Sequence, residues 1–422
     1  MRLLHTSDWH LGHQLHGVAR DGEHAAFLAW LVEQAVAEQV DAVVITGDIF
    51  DGSNPPATAQ AAYYGFLAEI GARLPGVEVI VLGGNHDSPA RLEAPAPLLE
   101  RLRVRVVGAL PRDDHAVAWD RAVVPLHRRV RGKPGPVAAW LLAVPFLRVG
   151  DLAGHVDGDG VPDPAIAIAA LYAEGVAAAR ARAGALPLVI TGHLHVTGAE
   201  PSILSERRVL AGGAEALDAG LFGAGEVAYV ALGHLHKAQR VGGHDHVRYA
   251  GSPIPLAMAE AGYKHQVAIV ELPAAAGDGA ATVRTLAVPR TVELLRVPRR
   301  GAAPLDEVLA ELAALPPLDD DAVLERRPYL EVRLRLDAPV PQLRARIEQA
   351  VDGKLPRLVT ISVERAGSGA ALGDGAPGVS LADLEPREVL IQRWRREHAG
   401  EPPAPLLAAF DELVARVQEG RP

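Results

Sequence analysis

Five short segments hold the residues that could do chemistry: Asp8-Trp9-His10, Gly47-Asp48, Gly84-Asn85-His86-Asp87, Gly192-His193 and Gly233-His234-Leu235-His236. Asp8, His10, Asp48, Asn85, His193, His234 and His236 offer seven imidazole and oxygen donors. Counting one bridging carboxylate twice, they supply four bonds to each of two divalent ions, with room between the ions for a water or hydroxide. A mixed imidazole and oxygen set suits Mn²⁺, Fe or Zn better than Mg²⁺ alone. Two such ions about 3.5–4 Å apart form a template for in-line displacement at phosphorus.

Each segment follows a strand-length apolar run. The runs are Arg2–His5, Asp41–Thr46, Val77–Leu82, Pro187–Thr191 and Val227–Leu232, with Val104–Val107, Trp140–Pro145 and Gln266–Leu272 as further strands. Glu23–Gln39, Ala57–Arg73 and Ala165–Arg182 are long, Ala-rich and helical in period. Alternation of this kind predicts an α/β layered domain. Taken alone, it suggests one parallel sheet. Ligands in such domains gather outside the carboxyl ends of the strands, where these donors fall.

Composition bounds the alternatives. A chain of 422 residues with 49% hydrophobic and 22% charged residues can bury cores in two or three domains, so wholesale disorder is excluded. The absence of cysteine excludes disulfides, thiolate zinc, iron–sulfur clusters and a cysteine nucleophile. A net charge of −10 argues against wrapping nucleic acid by bulk electrostatics, but not against a local site charged by bound cations. The opening Met1-Arg2-Leu3-Leu4-His5 is too polar for a signal peptide. No apolar run is expected to approach bilayer length, Ala138–Leu147 being the nearest. The expected setting is therefore cytoplasmic, without a membrane.

A second module follows Pro289. Strands at Thr291–Val297, Tyr329–Leu336 and Leu358–Val363 alternate with helices at Pro304–Leu315 and Val340–Val351, giving a small βαβαβ unit. Ala366–Gly378 is Gly-rich and reads as a flexible linker. Beyond it, Val389, Leu390 and Trp394, then Leu406, Phe410, Leu413 and Val417, line two amphipathic helices that need a partner surface.

Basic residues give weaker signals. Arg128-Arg129-x-Arg131-x-Lys133 reads as a solvated loop, with phosphate contact the second reading. Arg101, Arg103 and Arg105 read as one exposed strand face. Tyr249 and Ser252, beside Gly251-Ser252-Pro253, could line a substrate groove, or the turn needs only its Gly and Pro. No Gly-x-x-x-x-Gly-Lys-Ser/Thr loop is present, so the chain is not itself an ATPase of that kind.

Asp8-x-His10, Gly47-Asp48-x-x-Asp51, Gly84-Asn85-His86-Asp87, Gly192-His193 and Gly233-His234-x-His236 resemble the calcineurin-like metallophosphoesterase superfamily. His5-Thr6-Ser7-Asp8-Trp9-His10-Leu11-Gly12 and Gly251-Ser252-Pro253-Ile254-Pro255 resemble its double-strand-break repair nuclease branch. The resemblance implies a two-sheet sandwich flanked by helices, with a small βαβαβ capping domain and a C-terminal helical partner-binding segment. The boundaries expected are a nuclease domain at 1–288, a DNA-binding capping domain at 289–365, a linker at 366–378 and a helical docking segment at 379–422.

The same resemblance implies that Asp8, His10 and His236 hold one ion and Asn85, His193 and His234 the other, with Asp48 bridging and Mn²⁺ the expected metal. His86 matches the family's catalytic histidine, and Asp51 an acidic residue that orients a ligand. Because 192–195 and 233–236 both read Gly-His-Leu-His, His195 competes with His193; the family needs one ligand there, and His193 is favoured. His13, His16, His244 and His246 receive no metal role. The activity implied is 3′→5′ exonuclease on double-stranded DNA and endonuclease on single strands. Regulation by ATP would come through an SbcC-type ATPase partner, and the nuclease chain would form a homodimer. A phosphodiesterase for small substrates would need neither appended module, and a scaffold with an idle centre would not need the full donor set.

Overall fold

A computed structural model describes residues 1–114, 116–152, 164–200, 217–222, 227–319, 321, 323–365 and scattered positions between 390 and 410. Residues 1–335 with 340–364 form one compact unit, and 336–339 with 365–422 a second. In the second, Leu390, Ile391, Trp394, Leu406, Leu407 and Phe410 are helical. The expected linker at 366–378 and most of the expected docking helices lie outside the described residues.

The large unit holds two six-stranded sheets. Strands β1 (Arg2–Thr6), β2 (Ala42–Thr46), β3 (Glu78–Leu82) and β4 (Val104–Val107) run parallel in the first sheet. The second sheet takes β5 (Val123–Val130), β6 (Lys133–Leu142), β7 (Leu188–His193), β8 (Tyr229–Gly233), β9 (Gln239–Val241) and β10 (His244–Tyr249). The chain then returns to the first sheet with β11 (Gln266–Glu271) and β12 (Thr282–Ala287), both antiparallel to their neighbours. The orders are β12-β11-β1-β2-β3-β4 and β9-β10-β8-β7-β6-β5.

Period-two alternation explains the layering. Leu3 pairs with Ala42 and Val44 with Ile80, so Leu3, Ala42, Val44, Ile80 and Leu82 share the face that meets Leu126, Leu141, Val189 and Ala231 of the second sheet. The alternate residues Leu4, Val43, Ile45, Val79 and Val81 pack instead under helices α1 (Asp21–Ala37) and α2 (Ala57–Arg73). Leu188, Ile190, Val230 and Leu232 do the same under α3 (Pro164–Ala183). The central strands β2, β3, β7 and β8 are thus buried on both faces, which is why their runs read as continuously apolar.

This architecture corrects the single parallel sheet that alternation alone suggests and matches the two-sheet sandwich that the resemblance implied. Within the two six-stranded sheets, the strands that sequence reading passed over are β5, β9, β10 and β12. Three of these lie at sheet edges, all four carry polar residues, and β9 and β10 are joined through Gly242-Gly243.

Helix α3 corrects another expectation, because by length and composition it is apolar enough to span a membrane. Its Ala167, Ile168, Leu171, Tyr172 and Ala179 lie in the second core instead. The small βαβαβ unit is present as β13 (Leu294–Val297), α4 (Leu305–Ala313), β14 (Tyr329–Leu336), α5 (Leu343–Val351) and β15 (Arg357–Arg365). Its sheet order is β13-β14-β15.

Candidate metal centre

The predicted donors emerge from the carboxyl ends of β1, β2, β3, β7 and β8. The first two of these loops stay zipped together past the sheet. Asp8 N–H donates to the Gly47 carbonyl at 3.1 Å, His10 N–H to Asp48 at 3.0 Å and Leu11 N–H to Ile49 at 2.9 Å. Along that course Asp8, His10 and Asp48 take positive φ of 53°, 47° and 50°, and His234 on the loop after β8 takes φ 100°. For L-residues this costs about 1–2 kcal/mol each and is characteristic of functional sites.

Two glycines show how tightly the loops close. A Cβ on Gly84 would lie 2.1 Å from Asp48 Oδ1, and one on Gly47, itself at φ +94°, would lie 2.3 Å from His193 Nδ1. The glycine before Asp48 and the glycine before Asn85 are therefore steric requirements of the cluster.

Among the described residues, three groups of candidate donor atoms each lie within 4.8 Å of one another: Asp8, His10 and His236; His10, Asp48 and His86; Asp48, His193 and His234. Asp48 is the centre of the arrangement. Its Oδ2 lies 3.4 Å from His10 Nε2 and 3.3 Å from His193 Nε2, while Oδ1 accepts the His86 N–H at 2.9 Å. Asn85 Oδ1 lies 2.9 Å from His193 Nε2 and 3.3 Å from His234 Nδ1. All seven predicted ligands thus meet in one place, six of them buried and Asn85 partly so.

The donor set suits divalent cations. Both ring nitrogens of His10 are buried without a well-formed hydrogen bond, a costly arrangement unless a cation takes the lone pair of one while the N–H of the other faces an acceptor. Asp8 Oδ1 accepts the His234 N–H at 3.0 Å, which turns the carboxylate across the cleft between β1 and β8.

Burial and the Asp48 carboxylate pull these groups in opposite directions. Burial drives His10 and His234 below the usual histidine range, so neither ring readily takes the second proton that would charge it. Burial would also lower His193, but the Asp48 carboxylate outweighs it and holds that ring up to about 9. Asp48, against its own burial, is held well below the carboxylate range by His193. Asp87 is pushed up to about 6 by burial and by the nearby Asp48 charge.

His86 and Asp51 form a connected pair beside the cluster. The Asp51 carboxylate lies 3.3 Å from His10 Nδ1 and 3.0 Å from His13 Nδ1, and its backbone carbonyl accepts from His86 Nδ1 at 2.8 Å. His195 belongs to none of the three donor groups. His13, without a predicted role, also contacts the Leu256 carbonyl at 2.9 Å.

The secondary expectations fare differently. The 128–133 cluster is the tip of a β-hairpin, with Arg131-Gly132 its exposed turn and the flanking residues in strands. Arg129 N–H donates to Asp41 Oδ1 and its Nε to the Val40 carbonyl, where β2 begins, so this hairpin sits at the sheet end opposite the donors. Arg101, Arg103 and Arg105 do not share a strand face, because Arg101 lies in a 3₁₀ turn and Arg103, at φ 62°, ends it. Tyr249 and Ser252 are buried and line no open groove. Tyr249 Oη instead donates to the Leu194 carbonyl at 2.7 Å and accepts Val196 N–H at 2.9 Å, fixing the segment after His193.

Sequence reading missed two supports. The Asp87 carboxylate accepts N–H groups of Ile49, Phe50 and Gly84, tying the Asp48 loop to the Asn85 loop. Glu260 lies beside His236. Asp87 stands inside a quoted motif and could have been suspected; Glu260 follows no motif that points to it.

Comparison with known proteins agrees with this geometry. Residues 1–238 match the calcineurin-like phosphoesterase family, and residues 290–398 match a type 5 capsule protein repressor C-terminal domain. The D subunit of nuclease SbcCD from Rhodobacter capsulatus is 42% identical over 370 residues, spanning 86% of this chain and 88% of that protein. The proteins of the same name from Escherichia coli K12 and Bacillus subtilis are 38% and 34% identical. Each match covers 64% of this chain, with 64% of the first protein and 66% of the second. The strand-end motifs and the match to residues 1–238 lead to one conclusion: the chain belongs to the calcineurin-like phosphoesterase family, among the relatives of the SbcCD nucleases.

Proposed function

We propose that this chain is the nuclease component of an SbcC–SbcD-type complex, a di-metal phosphodiesterase that cuts DNA. The observation that carries the reading is the position of Asp48, with one carboxylate oxygen 3.4 Å from His10 and 3.3 Å from His193. In this reading Asp8, His10 and His236 hold one ion, Asn85, His193 and His234 hold the other, and Asp48 belongs to both. Divalent ions there supply an activated water and offset charge at phosphorus. The imidazole content favours Mn²⁺.

The chain's own residues then do three things. The buried carboxylates and imidazoles would hold the ions that orient the reacting phosphate. His86, held through Nδ1, presents Nε2; in its doubly protonated form the ring would give the Nε2 proton to the departing oxygen or stabilise charge at phosphorus. Asp51 positions His10 and His86 rather than touching substrate. Residues 289–365 cap the site and contribute to DNA binding, and 379–422 dock an SbcC-type ATPase that brings ATP control. The kinship with nucleases of 42% identity supports DNA as substrate.

An assay with Mn²⁺ on linear duplex, circular single strands and a chromogenic phosphodiester tests this reading. Shortening of duplex from 3′ ends together with nicking of circles is expected. Turnover of the small ester with both DNAs untouched would contradict it.

A further inference from the structure

Glu260 lies in the 3₁₀ turn Met258–Gly262 and is wholly buried. Its Oε1 is 3.0 Å from His236 Nδ1, and its Oε2 accepts the Leu256 N–H at 2.7 Å. A carboxylate can only accept, so His236 donates from Nδ1 and its Nε2 lone pair is left for the side of the ring facing Asp8 and His10. Other rings of the centre are held differently. His193 and His86 give Nδ1 to the backbone carbonyls of Thr46 and Asp51, at 2.8 Å each.

The turn carrying Glu260 is fixed on several sides. Met258 packs with Leu15, Val292, Leu294 and Tyr329, joining the turn to the small sheet. Arg290 donates to the Ala261 carbonyl at 2.8 Å, and the Leu256 carbonyl faces His13 Nε2 at 2.9 Å. A buried carboxylate is costly unless its charge is used. Backed by a ring on a metal cluster, it fixes the tautomer and raises the basicity of the ligand.

We propose that Glu260 is a positioning residue for His236, setting how tightly the ion between Asp8, His10 and His236 is held. This rests on the two-ion reading above. Both rings of that ion stand near carboxylates, His236 by Glu260 and His10 by Asp51, whereas His193 of the other ion is backed by a neutral carbonyl.

The test is an equilibrium Mn²⁺ titration of the full chain, wild type against Glu260→Gln, beside thermal unfolding of both metal-free proteins. Glu260→Gln is expected to weaken one of two ions about 10–100-fold and leave the other unchanged, with the metal-free melting temperature preserved. A merely structural role would weaken both ions alike and lower that temperature, which would overturn the proposal. Two ions bound with unaltered affinity would also overturn it, while leaving the two-ion reading intact. A wild type that takes fewer than two ions would overturn both. Should Glu260→Gln fail to fold, ¹⁵N NMR of the Zn²⁺-loaded wild type decides. The His236 signal, assigned by its loss in His236→Gln, should show a protonated Nδ1, and coordination through Nδ1 would sink the proposal.

Discussion

His86 Nδ1 lies 2.8 Å from the backbone carbonyl oxygen of Asp51, so the ring is held as an Nδ1–H donor with Nε2 presented to the cluster. The same Asp51 places its carboxylate 3.3 Å from His10 Nδ1. One residue thus orients both a candidate ligand and the candidate proton donor, its backbone serving one and its side chain the other.

His86→Ala should therefore leave both ions bound while slowing DNA cleavage about 10²–10⁴-fold, the usual loss for an acid–base group. His236→Ala should instead cost an ion. Metal analysis of the two purified variants separates the roles. Because His86 also falls in a donor group with His10 and Asp48, a His86→Ala protein that lacks an ion would move His86 among the ligands.

The pH dependence of metal binding follows from His193. In the metal-free site its ring stays protonated up to about 9, because Asp48 outweighs the lowering effect of burial. A metal taking Nε2 must displace that proton, so affinity should rise with pH, up to about tenfold per unit for one released proton, and level off above about 9. Folding of the metal-free protein carries the opposite sign. A raised pKa contributes stability that is full below the unfolded value of 6.5 and is lost as pH climbs through about 9. Calorimetry in buffers of different ionisation enthalpy should detect proton release near pH 7.5 that falls away by pH 9.5.

Within the large unit, the small sheet β13-β14-β15 is joined to α1 by a buried network that can be tested by stability. Arg20 and Glu23 pair at 2.6 Å, and Tyr329 Oη donates to Glu23 Oε1 at 2.8 Å. Arg357 lies 4.4 Å from the centroid of the same Tyr329 ring. Tyr329→Phe keeps the packing and removes one hydrogen bond to a carboxylate, so about 1.5–3 kcal/mol should be lost in urea unfolding. A loss below about 0.5 kcal/mol would mean that Arg20 alone satisfies Glu23.

Much of this was legible in the sequence because the relevant signals are local. Val43-Val44-Ile45-Thr46 ending in Gly47-Asp48 announces a buried strand delivering a carboxylate, and the boundaries of β14 follow from its alternation. What stayed hidden depends on distant partners. The two-sheet arrangement follows from which strand pairs with which, and β11 joins β1 from the far end of the large domain. Edge strands such as β9 and β12 carry too few apolar residues to stand out. Glu260 gained its place only when the turn after Gly251-Ser252-Pro253 folded back on His236. The Arg128–Lys133 cluster, read in sequence as a solvated turn, is an exposed hairpin tip at the sheet end opposite the donors.

The central claim is that Asp48 joins two ions in one site, and counting those ions tests it most directly. Mn²⁺ titrated into the chelated chain and followed by electron paramagnetic resonance should reach two ions per chain with a spin-coupled spectrum. Asp48→Asn should reduce that stoichiometry or abolish the coupling. A wild-type chain that saturates with one ion, or holds two that are magnetically independent, would contradict the account.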